Sequence, residues 1–394
     1  MTGGNSLHGV AAAASTTTDV VHSELPAPVD LLKRSTSRRM KRSRGQRPLR
    51  IAQIAPLTES VPPKLYGGTE RVVANLCDEL VRQGHDVTLF ASGDSQTQAR
   101  LVPACHEALR LINSPDPLAI HLLMIERVMQ RAREFDLIHF HTAPLHFSMA
   151  RRLDTPHVTT LHGRLDLAPM MALYSEFTDL PFVSVSDAQR APLPRQNWVG
   201  TVYHGMPANQ MEFRPEPGSY LAFLGRISPE KRVDRAIEIA QACGASLKIA
   251  AKVDPADRDY FATTIEPLLS HPLVEFIGEI GEAEKGDFLG HARALLFPID
   301  WPEPFGLVMI EALACGTPVV AFRGGSVAEI IAHGETGFVV EDLDQAITAT
   351  KQVDALDRRV CRQQFDERFS ATRMADDYVH VYTQLVAQTA EADD

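Results

Sequence analysis

Apolar residues first fall into register at Arg50-Ile-Ala-Gln-Ile-Ala-Pro56, a short run closed by a turn, which predicts a strand. Val72, Val73, Leu76, Leu80 and Val81 then recur at three- and four-residue spacing. That spacing predicts a helix over 69–83, ended by Gly84. Asp86-Val-Thr-Leu-Phe-Ala91 predicts the next strand. Further strands are predicted at 137–140, 157–161, 182–185 and 201–203, with helical stretches between them, the clearest over 118–134. The polar, Pro-rich segment 208–218 reads as a linker. A second series follows, with strands predicted at 220–224, 247–251, 274–277, 294–297, 318–322 and 338–340.

Strand–helix alternation in both halves predicts an α/β protein with two Rossmann-like domains, each a parallel sheet covered by helices. The expected boundaries are 49–212 and 213–369, with a C-terminal helix over 370–390 joining the first domain. Ligands of such sheets sit at the carboxyl ends of the strands, so the two halves should face each other across a cleft. Residues 1–48 carry neither a period of 2 nor of 3.6 and predict a disordered leader.

Length and charge sharpen this picture. A chain of 394 residues suits two domains better than one core. Residues 1–50 hold nine Lys/Arg against Asp19, Glu24 and Asp30, a net +6, which leaves −17 on the rest of the chain. An acidic body argues against a nucleic-acid partner, and membrane contact is expected only through the basic leader. Cys77, Cys105, Cys243, Cys315 and Cys361 are odd in number and scattered, which argues against a disulfide framework and a zinc site. Without a secretory signal or a spanning apolar stretch, the expected compartment is the cytoplasm. Oligomeric state is not set by any of these features.

The strongest chemical constellation lies in the second half. Leu224-Gly-Arg-Ile-Ser-Pro-Glu-Lys231 leaves a strand and enters a helix, with Ser228 as the expected N-cap. Arg226 and Lys231 beside a helix start suit a diphosphate. Asp300-Trp-Pro-Glu-Pro-Phe-Gly-Leu-Val-Met-Ile-Glu311 makes a second strand-to-helix loop. There Glu303 suits sugar hydroxyls, the amides of Phe305, Gly306 and Leu307 face the cleft, and Glu311, two turns into the helix, suits a ribose diol. The helix around Glu311 is apolar all round, so a carboxylate buried there needs a partner. In the first half, Gly67 and Gly68 allow close backbone approach to a phosphate. His162 ends a strand at the cleft. His139 and His141 alternate in Asp136-Leu-Ile-His-Phe-His141 and point to one face, His139 as buried structure and His141 toward an acceptor. No third ligand is spaced to make them a metal site.

Other signals read as structural. Ser326-Val-Ala-Glu329 fits a capping box. Asp257-Arg-Asp259 and Asp342-Leu-Asp344 read as acids at helix starts, and Cys315 as a packed small residue.

Taken together, Gly-Arg-x4-Lys231, Glu303-x7-Glu311, Ala312-Leu-Ala-Cys-Gly-Thr-Pro-Val-Val-Ala321 and His333-Gly-Glu-Thr-Gly-Phe-Val-Val340 resemble the retaining GT-B glycosyltransferases of family four. The resemblance runs from about Arg50 to Tyr382. It implies transfer of a hexosyl group from a nucleotide-diphosphate sugar to an acceptor hydroxyl, with no catalytic metal and no cofactor besides the donor. It carries the diphosphate to Arg226, Lys231 and the Gly67-Gly68 loop, the sugar to Glu303, Phe305, Gly306 and Leu307, the ribose to Glu311, and a functional role to His162. Tyr66 and His141 become possible acceptor contacts. Uridine diphosphate sugars are the first expectation and guanosine diphosphate mannose the second. A nucleotide-sugar epimerase of the same double fold, or a non-catalytic two-lobed sugar-binding protein, are the alternatives. A nicotinamide oxidoreductase calls for a Gly-x-Gly-x-x-Gly turn after the first strand, which is missing.

Overall fold

The computed structural model describes residues 47–64, 67–112 and 114–392, so the expected leader, up to residue 46, and Tyr66 lie outside the described residues. The first series of strands is β1 Arg50–Ile54, β2 Asp86–Ser92, β3 Arg100–Cys105, β4 Leu137–Phe140, β5 His157–Leu161, β6 Pro181–Ser184 and β7 Asn197–Thr201. The second is β8 Tyr220–Ile227, β9 Leu247–Val253, β10 Val274–Gly278, β11 Ala292–Phe297, β12 Val319–Phe322 and β13 Gly337–Val340. They build two parallel sheets, ordered β3-β2-β1-β4-β5-β6-β7 and β10-β9-β8-β11-β12-β13. The two-domain α/β expectation is met.

Central strands were legible because both faces are covered and they read as apolar runs: Ile51, Ala52, Ile54, Leu137, Ile138 and Phe140 are fully buried. The two departures are at edges. β3 is half exposed and contains Pro103, so it shows no strand pattern. β7, at the opposite edge, lies at 197–201 rather than 201–203.

In the first half the helix Gly68–Arg82 lays Val72, Val73, Leu76 and Leu80 against Ile51, Leu89 and Leu137. Met374, Ala375, Tyr378 and Tyr382 of the final helix, Ala371–Ala392, enter the same core, so the chain end returns to the first sheet. At about 1.5–3 kcal/mol per fully buried large apolar side chain, that docking is a substantial share of the domain's cohesion. The linker 208–218 has neither strand nor helix, yet it is tied down: Arg358 Nε donates to Arg214 O at 2.8 Å and Arg362 Nη2 to Ala208 O at 2.7 Å. Among the described residues no helix is long and apolar enough to cross a membrane.

Strand order reverses beside β1 and β4 in one sheet and beside β8 and β11 in the other. Crevices open at the carboxyl ends of such strand pairs. The Gly67-Gly68 loop follows β1, His141 follows β4, Arg226 ends β8 and the Glu303 loop follows β11.

Candidate functional site

These loops close around a cavity of ≈ 400 Å³. Gly67, Gly68 and His162 line it from the first domain; Arg226, Lys231, Glu303, Phe305, Gly306, Leu307 and Glu311 line it from the second. Ten predicted positions, scattered from residue 67 to 311, are thus brought together. Gly306 opens the helix Leu307–Ala314 at φ 81°, a left-handed conformation that suits glycine, and a Cβ there would meet Met309 Cε at 2.7 Å. Glu303 is held from behind: Ser326 N donates to its carbonyl at 2.9 Å, and Gly325 lies so close that a Cβ would fall 2.1 Å from that oxygen.

The charges are pre-paired. Lys231 Nζ meets Glu303 Oε2 at 2.5 Å and sits 4.7 Å from the Trp301 ring, whose Nε1 donates to the same carboxylate at 3.1 Å. Glu311, 4% exposed, has the partner its burial requires: Lys285 Nζ at 2.8 Å. Glu311 stands just past the first helical turn rather than two turns in, because the helix begins only at Leu307. Lys285 also reaches Glu282 at 3.1 Å, and Glu282 takes Arg71 of the first domain at 2.8 Å. Burial would lower the Lys285 ammonium, but Glu311 and Glu282 outweigh it and hold its pKa above the usual lysine range. Arg226 is steadied by Glu230 at 2.7 Å and Asp254 at 3.6 Å. Five cations (Arg71, Arg226, Lys231, Lys252, Lys285) line the cavity against the carboxylates Glu279, Glu303 and Glu311. Behind that wall Glu230, Asp254 and Glu282 pair with Arg226, Lys252, Arg71 and Lys285.

Behind His162 lies a row of histidines. His162 Nε2 is 2.9 Å from His141 Nδ1, and His141 Nε2 is 2.8 Å from Gln53 Oε1. Both His141 nitrogens are therefore used within the protein, and the ring is 4% exposed and absent from the cavity wall. The expectation that His141 reaches an acceptor is corrected: the pleat points it at His162, which screens it. His139 is fully buried, as expected, bonded to Tyr382 Oη and Thr160 Oγ1 at 2.7 Å each. Burial pushes His162 down to about 3 and holds His139, His141 and His204 well below the usual histidine range, so all four rings are neutral near pH 7. The His162 turn itself is fastened by Gln189, whose Nε2 donates to Leu161 O at 2.8 Å and Gly163 O at 2.7 Å. Ser186 Oγ accepts from Gln189 N and donates to Pro304 O at 2.7 Å, coupling that turn to the Glu303 loop.

Several local readings change. Ser228 makes no cap bond: Pro229–Lys231 is a single 3-10 turn and the helix starts at Val233, beyond the left-handed Arg232 (φ 53°). Glu329 does not close a capping box, since Ser326 lacks the cap bond. It caps a helix start elsewhere, accepting from Asp187 N at 2.8 Å and Ala188 N at 2.7 Å in the first domain, and from Tyr203 Oη at 3.0 Å. Only the tertiary structure brings these donors to it. Glu329→Ala strands all three, and an unfolding midpoint in urea lowered by about 1–3 kcal/mol equivalents is expected; an unmoved midpoint would show the tie to be idle. Asp342 does cap its helix, accepting from Gln345 N at 2.8 Å, whereas Asp257 makes no cap bond. Cys315 is fully buried, its thiol pushed up to about 12 by burial.

Charged and ring-bearing cavity residues missed at the sequence level include His204, Arg71, Lys252, Glu279 and Lys285. His204 stacks on His162 with ring centroids 5.3 Å apart and lies 4.7 Å from Phe305. Its place after an edge strand was the one usable signal. Lys285, on a mid-chain helix, carried none. Among the described residues no group of three or more His, Cys, Asp or Glu is placed to hold a metal.

Comparison with known proteins agrees with this architecture. Residues 66–229 match the family described as Glycosyltransferase Family 4, and residues 209–368 match Glycosyl transferases group 1. N-acetyl-alpha-D-glucosaminyl L-malate synthase of Bacillus anthracis is 25% identical over 367 residues, covering 81% of this chain and 94% of that protein. The crystal structure of AviGT4, a glycosyltransferase involved in avilamycin A biosynthesis, is 26% identical with a TM-score of 0.66, over 86% of this chain and 98% of that one. Anabaena HepE, solved in complex with UDP and glucose, shares the fold at 18% identity and a TM-score of 0.65, over 85% of this chain and 100% of that one. The two family matches overlap from residue 209 to 229 and together cover residues 66–368, which hold every strand after β1 and all ten predicted cavity residues; the chain belongs to the group 1 glycosyltransferases.

Proposed function

We propose that this glycosyltransferase moves a hexosyl group from a nucleotide-diphosphate sugar, a uridine diphosphate sugar first and guanosine diphosphate mannose second, to an acceptor hydroxyl, with retention and without a metal ion. The observation that carries the reading is the convergence of basic side chains and helix-start amides on one cavity. Arg226, Lys231, Lys252 and Lys285 line it beside the opening turn of the helix Leu307–Ala314, a setting that suits a diphosphate. Arg226, Lys231 and the amides at the start of the helix Leu307–Ala314 stabilise charge growing on the leaving diphosphate. Glu311 receives the ribose and Glu303 the sugar. Both carboxylates are engaged by lysines, which suits hydrogen bonding to hydroxyls better than nucleophilic attack. A same-face route fits, in which the bond from the anomeric carbon to the diphosphate oxygen breaks as the acceptor oxygen approaches. The acceptor proton then passes to that departing oxygen. Domain closure over the cleft limits hydrolysis of the donor. HepE, whose complex contains UDP, lends the uridine reading support through its fold. Five free cysteines suit a reducing cytoplasm.

The test is transfer assayed with and without chelator. Full activity in chelator is expected, because lysine and arginine supply the counter-charge. Activity that disappears in chelator and returns with manganese overturns the metal-independent reading.

A further inference from the structure

A buried polar chain runs from the C-terminal helix to the cleft. Tyr378 Oη is 2.9 Å from Thr160 Oγ1, Thr160 is 2.7 Å from His139 Nε2, and His139 Nδ1 is 2.7 Å from Tyr382 Oη. Gln53 Nε2 donates to Tyr382 Oη at 3.1 Å while its Oε1 faces His141 Nε2 at 2.8 Å. His141 Nδ1 then meets His162 Nε2 at 2.9 Å. Every member except His162 is buried, and His162 lines the cavity. Two buried ring nitrogens of cavity-lining residues have no hydrogen-bond partner among the described residues, His162 Nδ1 and His204 Nδ1, and the first of them ends this chain.

Such a chain has two self-consistent directions. In one, Gln53 Oε1 accepts from His141 Nε2–H, and the bare His141 Nδ1 accepts from His162 Nε2–H. His162 Nδ1 is then a lone pair. In the other, every bond reverses and His162 Nδ1 becomes a buried N–H without an acceptor. An orphaned N–H costs more than an unused lone pair, so the first direction prevails. Gln53 sets it, because an amide offers an acceptor on one side only when its NH₂ is engaged on the other. An amide cannot pass a proton on, so the chain orients and does not conduct. Burial keeps all three rings neutral, which makes the tautomer the remaining variable.

We propose that Gln53, locked by Tyr382, is a positioning residue that fixes His162 in the tautomer protonated at Nε2 and leaves Nδ1 to accept a hydrogen bond from a substrate hydroxyl. The substrate half of this statement rests on the transferase reading above; the tautomer half does not.

The experiment is nitrogen-15 NMR of the full chain labelled at histidine, without substrate, with the His162 signals assigned by their loss in His162→Ala. A single tautomer protonated at Nε2 is expected. Tyr382→Phe keeps the ring and removes the lock, so both tautomers should appear. Its kcat should fall about tenfold with KM for the nucleotide sugar unchanged, a split equivalent to ~1.4 kcal/mol in the transition state alone. Gln53→Glu, whose carboxylate can only accept, should retain the native tautomer. His162 protonated at Nδ1 in the native chain or in Gln53→Glu, or an unchanged tautomer in Tyr382→Phe, overturns the proposal. Normal turnover by His162→Ala would remove the substrate contact while leaving the tautomer result to be judged on its own spectrum.

Discussion

Glu311→Ala is expected to weaken nucleoside diphosphate and donor sugar alike, by roughly one to two decades, whereas Glu303→Ala should lower transfer without weakening the product. A hydrogen bond to a charged group is worth about 1.5–3 kcal/mol, and ~1.4 kcal/mol is a factor of ten. The ribose that Glu311 is proposed to hold is present in donor and product, so both affinities fall together. Lys285 keeps Glu282 at 3.1 Å in this variant, so the change does not leave a buried ammonium alone. Glu303 instead faces the sugar, which only the donor carries. Its removal releases Lys231 from a 2.5 Å ion pair for the diphosphate, and product affinity should hold or rise slightly. Transfer should fall about a hundredfold, as when a reacting group is displaced by an ångström. Calorimetry with nucleoside diphosphate and a transfer assay read the two effects separately. Equal loss of product affinity in both variants would show that the two glutamates do not divide ribose from sugar.

Acid should unfold the first domain well before its carboxylates titrate. His146 is fully buried, with Nδ1 at 2.7 Å from Thr142 O and Nε2 at 2.8 Å from Thr159 Oγ1, and burial pushes it from 6.5 down to about 3. The sign follows from proton uptake. Between these values the unfolded chain binds a proton that the folded chain refuses. Stability is therefore complete above about pH 6.5 and drains as the pH falls, at ~1.4 kcal/mol per pH unit for each such ring. His146 alone withdraws about 2 kcal/mol by pH 5. His139, His141 and His204 act in the same direction. A total stability of ~5–15 kcal/mol does not survive several such losses. Urea unfolding followed by the fluorescence of Trp198, which packs on Phe182 in the first sheet, should show midpoints falling steeply from pH 7 to pH 5. Equal midpoints across that range would mean that the folded histidines take up protons freely.

What the sequence alone determined was the architecture and the principal cleft residues. Central parallel strands are buried on both faces, so their residues must be apolar, and runs such as Ile51–Ile54 and Leu137–Phe140 announce themselves. The loops that follow them must hold the ligand groups, because the carboxyl edge of a parallel sheet is where the backbone leaves donors unpaired. That is why Arg226, Lys231, Glu303 and Glu311 were readable as one site. Tertiary structure alone decided the partners. Lys285 meets Glu311 across 26 residues, Glu329 meets Asp187 across 142, and Gln53 meets Tyr382 across 329. A hydrogen bond or ion pair leaves no period in the chain when its two halves lie on different elements. The two edge strands of the first sheet escaped for a related reason: β3 and β7 are each paired on one side only and only partly buried, so little apolar patterning is asked of them. The same sequence that spells out its two sheets therefore conceals the ties between them, since burial constrains residue type locally while pairing is settled only when the fold closes.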